Sequence, residues 1–362
     1  MPKKVKKGPL DLNIAIGKVG HTEKAVLAKN LAVMLKSGLT IAEAVEISAD
    51  QASGRLKSVL KGVYSSIQAG QTLSASLGRY PKIFSGLFIN ATKAGEASGT
   101  LEENLGNIAE QLKKEKELRS KIKGAMFYPI VVFVAAFFLG LAMAFLVLPK
   151  ITPLFEGLKI ELPFTTRALI WASHIIRDQG TWIFIGTIAV VIFFWWLLKR
   201  KFSKPAIHWV LLRLPIVGKI TRHTNLSRFA STLGTLLKSG LNIDEALDIT
   251  ASTLNNYYYG KSLSTVVKRV TKGTGLSTAL KRYPKLYSKM TVRMIKVGEK
   301  SGNLEDTLFY LSDFYETEVD TSTKSLATAI EPMLLIFIGL VVAFLALSII
   351  TPIYQITGNV RR

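Results

Sequence analysis

The sequence contains no cysteine among its 362 residues. Disulfide bonds, thiolate metal sites and cysteine nucleophiles are therefore excluded. Histidine is also scarce, with four in the chain: His21, His174, His208 and His223. No two of them have the spacing of a metal-binding pair on one helix. We therefore expect neither a metal nor a cofactor.

Acidic residues are few relative to basic ones: 25 Asp and Glu against 47 Lys and Arg give a formal net charge of +22. An excess of this kind is typical of proteins that contact nucleic acid, anionic lipid or an acidic protein. The first ten residues are basic, but no apolar segment follows them, so a secretory signal is not predicted. We interpret residues 1–21 as a basic tail with some affinity for lipid head groups.

Charge is absent from three long apolar runs. They read PIVVFVAAFFLGLAMAFLVL (129–148), WIFIGTIAVVIFFWWLL (182–198) and PMLLIFIGLVVAFLALSII (332–350). A helix needs about 20 mostly apolar residues to cross the hydrocarbon of a bilayer. Three uncharged runs of this length would be very unusual inside a soluble protein. The sequence therefore predicts three transmembrane helices, over 125–149, 182–198 and 328–351.

Basic residues flank these spans unevenly. Residues 1–124 carry 20 basic and 11 acidic side chains, and residues 199–325 carry 21 and 10, whereas 150–181 carries four and three. By the positive-inside rule, both large regions are cytoplasmic and the segment 150–181 is external. The amino end then lies in the cytoplasm, and the tail 352–362 lies on the outer side of the cytoplasmic membrane. Because topology and anionic lipid account for the positive charge, direct contact with nucleic acid is the less favoured hypothesis.

One stretch of the chain occurs twice. LKSGLTIAEAVEI (35–47) returns as LKSGLNIDEALDI (237–249), with nine of the thirteen positions identical. LGRYPKIFS (77–85) returns as LKRYPKLYS (280–288), and the offset stays at 202 or 203 residues. A constant offset over about 115 residues indicates an internal duplication. Each copy is a cytoplasmic region followed by one outward span, and the 182–198 helix returns the chain to the inside.

Turn and capping signals divide each cytoplasmic copy into about six helices. Thr22 is expected to cap the first helix, and Gly38 to end it in the left-handed conformation. Two capping boxes are predicted at corresponding places, Thr40 with Glu43 and Asn242 with Glu245. No segment alternates with a period of two, so no strand is predicted.

These signals together predict the fold class. We expect an all-α membrane protein with two homologous cytoplasmic six-helix bundles, at 22–124 and 199–327, and three transmembrane helices. The bundles are small and wholly helical, and the apolar spans separate them along the chain.

No nucleotide-binding motif is complete. The GKS at 260–262 matches the end of a Walker A motif, but Asn255 stands where its first glycine is needed. The glycine-rich stretch 273–275 lacks the third glycine of a dinucleotide fingerprint. Both stretches are interpreted as turns. Since no arrangement of nucleophile, histidine and carboxylate can be singled out either, the sequence does not predict an enzyme.

The polar motif K-x-G-E-x-S-G-x-L-E occurs once in each copy. Its glycines predict a tight turn, and its carboxylates are expected to cap the helix that follows. A second hypothesis, compatible with the first, is that Glu96 and Glu299 bond across helices or to a partner. The candidate contact residues are Gly95, Glu96, Gly99, Glu102, Gly298, Glu299, Gly302 and Glu305.

Two short sequences lead into apolar spans and are candidate structural residues at the membrane entry. Tyr128 and Pro129 precede the first span, and Glu331 and Pro332 precede the third. The cores of the spans hold no ionisable residue, so no path for an ion or a substrate is predicted. Glu331 is interpreted as an interfacial carboxylate that the helix dipole favours, rather than as a transport group.

The chain resembles the secretion F family, the polytopic inner-membrane platform proteins of type IV pilus assembly and type II secretion. The features that carry this resemblance, over about residues 22–355, are the doubled LKSG-x-x-I-x-E-A, the doubled RYP, the doubled GE-x-SG-x-L, and KIKGAMFYP (121–129) before a span that ends at Pro149. The resemblance implies a protein that is not an enzyme and forms a homodimer or small homo-oligomer. The partners that it implies are a hexameric cytoplasmic assembly or retraction ATPase, pilin or pseudopilin subunits, and inner-membrane alignment proteins.

Several alternatives stay open at this point. Machines for pilus assembly, secretion and DNA uptake share such a platform, so the sequence does not choose among them. A transporter permease is a further alternative, although spans without charge count against it. A membrane-tethered nucleic-acid receptor that acts through the basic bundles is the last.

Overall fold

The computed structural model describes residues 19–143, 164–200 and 203–359. Every regular element in these ranges is a helix, which confirms the predicted all-α class. Most of the predicted tail 1–21, part of the external segment 150–181 and the end of the tail 352–362 lie outside the described residues. The helices are α1 His21–Lys36, α2 Ile41–Gln51, α3 Gly54–Gln68, α4 Leu73–Gly78, α5 Gly86–Ser98, α6 Leu101–Ala142, α7 Phe164–Lys199, α8 Lys204–Arg213, α9 Pro215–Lys238, α10 Ile243–Thr253, α11 Tyr257–Val270, α12 Leu276–Leu280, α13 Lys289–Ser301 and α14 Leu304–Asn359.

The chain divides into two compact units. The described part of the first comprises 19–119 and 222–317. It contains α1–α5 of the first copy together with α10–α13 and most of α9 of the second, so both copies belong to a single unit. The second unit comprises the described residues of 120–221 and 318–359, which include the long apolar segments. The bundle boundaries expected at 22–124 and 199–327 stay a prediction.

The repeated corner folds as its sequence indicates. Gly38 and Gly240 adopt left-handed conformations, with φ of 87° and 86°, and each ends a helix. The predicted capping box at the start of α2 is confirmed. The Glu43 amide donates to Thr40 Oγ1 (3.3 Å), and the Thr40 amide donates to Glu43 Oε2 (2.9 Å). Two of the amide groups that a helix start leaves unpaired are thereby satisfied.

Two predicted caps are wrong in detail. The first helix begins at His21, so its N-cap is Gly20 rather than Thr22. The Gly20 amide donates to the Glu23 carboxylate at 2.6 Å. Asn242 stands at the N-cap of α10 but makes no side-chain capping bond. A glycine cap leaves no polar side chain to read in the sequence, so the start of α1 could not be located from residue type alone.

Buried aromatic rings form part of the core of the second copy. Tyr287 packs edge-on against Phe229 and Tyr259, with ring centroids 5.6 Å apart in each pair. The Tyr259 hydroxyl donates to the Leu286 carbonyl (2.7 Å), and the Tyr287 hydroxyl lies 3.1 Å from Ser262 Oγ. Burial raises the pKa of both tyrosines, so both stay neutral.

Among the residues that the structure describes, two helices are long and apolar enough to cross a membrane, by length and composition. These candidate spans are Leu101–Gly140 within α6 and Leu304–Ser348 within α14, and at most 6% of the residues in their most apolar windows are buried. The span expected over 182–198 lies in α7 and stays a prediction. A continuous helix therefore links each copy in the first unit to an apolar segment in the second.

The prolines at the predicted span ends do not interrupt these helices. Pro129 lies inside α6, and α14 continues through Pro332 and Pro352 as far as Asn359. The helix continues eight residues beyond 351, the predicted end of the third span, and the extent of that span stays a prediction. A proline removes one backbone hydrogen bond, whereas a complete break within hydrocarbon would leave several groups unpaired. Continuation is thus the less costly outcome.

Candidate functional site

The carboxylate of Glu96 binds the start of a neighbouring helix. Glu96 lies on α5, and its Oε1 accepts from the Leu73 amide at 2.5 Å. Its Oε2 accepts from the Ser74 amide at 3.2 Å and also from Ser74 Oγ. Thr72 supplies a further cap by accepting from the Ala75 amide. The amides at the start of α4 are thus satisfied, and the helix dipole favours the negative charge there.

Glu299 makes the same arrangement in the second copy. From α13 it accepts from the amides of Leu276 and Ser277, the latter at 3.1 Å, at the start of α12. The N-cap of α12 is Gly275, which has no side chain with which to cap. A Cβ placed on Gly275 would lie 3.3 Å from Glu299 Oε1. The glycine therefore leaves room for the carboxylate to approach closely, and the carboxylate accepts the capping hydrogen bonds that Gly275 has no side chain to accept.

These contacts differ from the turn interpretation of the motif. Glu96 and Glu299 bind the short helix that precedes their own helix, not the one that follows. Glu102 and Glu305 do lie in the first turns of α6 and α14, where they are exposed. Sequence reasoning missed the amide partners. A signal for them existed, because LSASL (73–77) and LSTAL (276–280) recur at the same offset of 203.

The glycines of the motif have two different roles. Gly99 and Gly302 end α5 and α13 in the left-handed conformation, with φ of 74° and 71°. Gly95 and Gly298 allow close packing instead. A Cβ on Gly95 would lie 2.8 Å from the Cα of Leu101, and one on Gly298 would lie 2.7 Å from a side-chain oxygen of the following helix. Each motif therefore fixes a tight angle between two helices.

Polar side chains join the two copies inside the first unit. Asn104 on α6 donates to the backbone carbonyl of Ser239 at 3.3 Å. About two turns further along α6, Gln111 donates to Ser231 Oγ at 2.8 Å. Both side chains are buried. Since a buried polar group without a partner is costly, these pairs fix how α6 and α9 pack.

A charged cluster continues this interface. The Glu115 carboxylate on α6 pairs with Arg119 of the same helix (2.8 Å) and with Arg228 on α9 (3.4 Å). Burial alone would raise the pKa of Glu115, but the positive charges of the two arginines outweigh it and hold the pKa below its ordinary value. Nearby, burial and the Arg119 charge lower the pKa of His21. Lys114 and Asp313 add an exposed pair at 2.7 Å.

The predicted membrane-entry residues lie in the second unit, inside long helices. Tyr128 and Pro129 are in the middle of α6, and Glu331 and Pro332 in the middle of α14. The side chain of Tyr128 is exposed. Their role at a membrane boundary stays a prediction.

The described residues bear on the metal and phosphate motifs that the sequence suggests or lacks. Within residues 19–143, 164–200 and 203–359 there is no group of three side chains that could hold a metal ion. The GKS at 260–262 lies inside α11, so the turn expected there is wrong, and its amides are held in a helix rather than free to cradle phosphate. The glycines at 273–275 do form a turn, with Gly273 at φ 84°.

Comparison with known proteins identifies the family. Residues 27–149 and 229–352 each match the family described as Type II secretion system (T2SS), protein F. A type IV pilus assembly protein PilC from Thermus thermophilus is 36% identical over 343 residues, or 94% of this chain and 84% of that relative. A type II secretion system protein F from Aeromonas hydrophila is 34% identical over 94% and 87% of the two chains. A PilC from Pseudomonas aeruginosa is 29% identical over 99% and 96%. The chain therefore belongs to the type II secretion system protein F family, with two copies of the family's unit.

Proposed function

We propose that this protein is the inner-membrane platform of a type IV pilus or type II secretion machine, and that it is not itself an enzyme. One observation carries the proposal. In each copy, one unbroken helix runs from the first unit into an apolar segment. Leu101–Ala142 has 42 residues, which is about 60 Å at 1.5 Å per residue. A helix of that length can carry a displacement made in the cytoplasm to the depth of the bilayer.

The motif glutamates would make this coupling stiff. Each carboxylate ties α5 or α13, the helix directly before a long helix, to a short neighbour. Gly95 and Gly298 hold the same helix close to the start of the long one. A force on the helical bundle would therefore move the long helix with it instead of being absorbed by a loose joint.

The proposed partners follow from this role and from the names of the relatives. A cytoplasmic hexameric ATPase, for assembly or retraction, would act on the first unit. Pilin or pseudopilin subunits would meet the apolar helices, with inner-membrane alignment proteins around them. The chain would span the cytoplasmic membrane three times with its amino end inside and its carboxyl end outside, which charge asymmetry supports.

The proposal is tested by deleting the gene and scoring pili, protein secretion and DNA uptake together in one strain. Loss of one or more is expected, and the pattern also decides among the three kinds of machine. Normal pili, secretion and uptake in the deletion strain would exclude a platform. The detergent-solubilised chain should also co-purify with its cognate assembly ATPase.

A variant pair tests the stiff joint specifically. Glu96→Ala with Glu299→Ala should reduce filament or secretion yield while the protein still inserts in the membrane. Glu102→Ala with Glu305→Ala is the matched control, since these exposed carboxylates make no cross-helix bond in the described ranges. Equal yields from the two double variants would contradict a coupling role for Glu96 and Glu299.

Topology can be tested because the chain has no cysteine of its own. Single cysteines at Asp178 and Lys272 should be labelled by an impermeant maleimide from opposite sides of intact cells and inverted vesicles. Labelling of both from the same side would contradict the proposed three spans.

A further inference from the structure

The helix that follows the predicted second span has an exposed and mostly apolar face. Helix α8 has no fully buried residue, and Ala206, Trp209, Val210 and Arg213 are exposed. These four residues are three or four positions apart, so they form one continuous surface, called the α8 stripe below. The other residues of α8, apart from Lys204, are partly buried. The helix therefore packs with one side and presents the α8 stripe outward.

The carboxyl end of α8 is fixed by the start of α9. Leu214 precedes Pro215 and is extended (φ −61°, ψ 136°), which ends α8. A Cβ placed on Gly218 would lie only 2.7 Å from the carbonyl oxygen of Leu212. Because Gly218 has no side chain, the first turn of α9 can pack directly on the last turn of α8. The α8 stripe thus keeps one direction relative to α9.

Two pairs of tryptophan and arginine lie at the ends of this segment. The Cζ of Arg200 lies 4.1 Å from the ring centre of Trp196, at the end of α7. The Cζ of Arg213 lies 3.9 Å from the ring centre of Trp209, at the end of α8. Tryptophan favours the boundary between hydrocarbon and water, and a guanidinium can bind phosphate through two N–H groups at once. Each pair therefore places a phosphate-binding group beside an aromatic ring.

Negative charge is missing from the sequence around α8. Residues 179–243 contain nine Lys and Arg and no Asp or Glu, and six of the nine lie within 199–219. In the part of the chain that the structure describes, neither Arg200 nor Arg213 pairs with a carboxylate. A negatively charged group that binds these arginines is therefore expected to come from outside the chain.

The position of α8 favours a lipid surface as the source of that group. The second span is predicted to end at 198, six residues before α8 begins. A chain that extends by about 3.3–3.6 Å per residue keeps the first turn of α8 within about 20 Å of that end. A helix with tryptophan on an apolar face and basic side chains around it is typical of helices that lie in the interface of a membrane with acidic lipids. Clusters of about four to eight Lys and Arg directly after a span on the cytoplasmic side are also typical of acidic-lipid binding.

We propose that α8 lies in the plane of the inner leaflet and that Arg200 and Arg213 bind the phosphate groups of acidic phospholipids. Trp209 and Val210 would then lie at the boundary between head groups and acyl chains. Helix α9 begins at this corner and continues into the second copy. The bound lipid would therefore hold the first helix of that copy at the membrane surface, in addition to the spans.

The depth of α8 can be measured with a single spin label, because the chain has no cysteine of its own. Val210→Cys is labelled in the purified full-length chain, in vesicles with equal amounts of phosphatidylcholine and phosphatidylglycerol. Oxygen, which concentrates in hydrocarbon, should reach the label, and a water-soluble nickel chelate should not. Ile192→Cys in the predicted span, 58% exposed, should behave in the same way. Ser58→Cys, exposed on α3, should show the opposite pattern.

Two results at Val210 would overturn the proposal. Ready access of the nickel chelate would show that the α8 stripe faces water. Exclusion of both oxygen and nickel chelate would show that protein covers it. The proposal rests on the span predicted over 182–198, and the maleimide labelling at Asp178 and Lys272 tests that span separately. A failure of α8 to enter the interface is thus distinguished from a failure of the topology.

The choice of lipid tests the two arginines. A fluorophore on Val210→Cys is quenched by brominated acyl chains, and the bromine is placed on phosphatidylglycerol in one set of vesicles and on phosphatidylcholine in the other. Quenching by the acidic lipid should be stronger, and each arginine should enrich that lipid about 5-fold. Equal quenching by the two lipids would contradict the proposal.

Substitutions then separate the arginines from net charge alone. Arg200→Gln with Arg213→Gln should lower the preference for the acidic lipid by about 5-fold or more, whereas Arg200→Lys with Arg213→Lys should keep most of it, because the charges remain. Lys272→Gln with Lys281→Gln removes the same charge from exposed positions of the first unit and should have no effect. An unchanged preference in the double glutamine variant of the arginines would refute their role.

Discussion

Replacement of Glu299 by alanine removes the only side chain that caps α12 in the described structure. Two amides, those of Leu276 and Ser277, lose a charged acceptor. A hydrogen bond to a charged group contributes about 1.5–3 kcal/mol, and water will replace part of it. We therefore expect the local stability of α12 to fall by about 2 kcal/mol. In the first copy, Glu96→Ala removes the acceptor from the two corresponding amides and from Ser74 Oγ, while Thr72 stays bonded to the Ala75 amide. The loss at α4 should therefore be of similar size.

Hydrogen exchange followed by mass spectrometry measures this directly in the detergent-solubilised chain. A loss of about 2 kcal/mol corresponds to about 30-fold faster exchange in the peptide over 276–280 of Glu299→Ala. Glu305→Ala is the control, because an exposed carboxylate in a first turn contributes only about 0.3–1 kcal/mol. The reasoning fails if Glu299→Ala exchanges no faster than the control, or if Glu96→Ala leaves exchange at 73–78 unchanged.

Two further predictions concern packing and pH. Gly95→Ala should lower the stability of the chain, because the added Cβ would lie 2.8 Å from the backbone of α6. The control is Gly106→Ala, where the added Cβ meets open space, and this variant should be neutral or more stable by up to about 1 kcal/mol. A thermal-shift assay compares the two variants. In the folded chain the pKa of His21 and that of Glu115 are both lowered from the ordinary values of 6.5 and 4.5. The unfolded chain therefore takes up protons first as the pH falls. The free energy of unfolding should decrease once the pH drops below 6.5, and decrease again below 4.5. Glu115→Gln should be less stable than the native chain at neutral pH, since Arg228 loses its partner, and the difference should close in a denaturant titration as pH falls through the folded pKa of Glu115.

Local signals in the sequence predicted the helices well. Gly38 and Thr40 gave the first corner correctly, because left-handed glycine and a capping box act within a few residues. The duplication then allowed the same helices to be assigned in the second copy. An error occurred where a cap has no side chain, as at Gly20, and where a glycine-containing stretch expected to be a turn lies inside a helix, as at 260–262.

The contacts of the motif glutamates could not be predicted in the same way. Glu96 bonds to amides 22 and 23 residues earlier in the chain, and these bonds depend on how α5 turns back over α4. Backbone amides are present at every residue, so nothing in their type marks them as partners. A recurring Leu-Ser at 73–74 and 276–277 was the only local hint, and it does not say which carboxylate is near.

Corresponding residues of the two copies can differ in burial, and this shows a further limit of prediction from local sequence pattern. Val33 and Thr235 occupy the same place in related helices, yet the valine is 50% exposed and the threonine 2% exposed. A rule that puts apolar residues inside would assign these two positions the wrong way round. Thr235 is buried on the side of α9 that the first copy contacts, because Ser231 and Ser239, one turn before and after it, accept hydrogen bonds from Gln111 and Asn104. Whether such a position is buried depends on which helix of the other copy lies against it, and the residue type at that position does not record this.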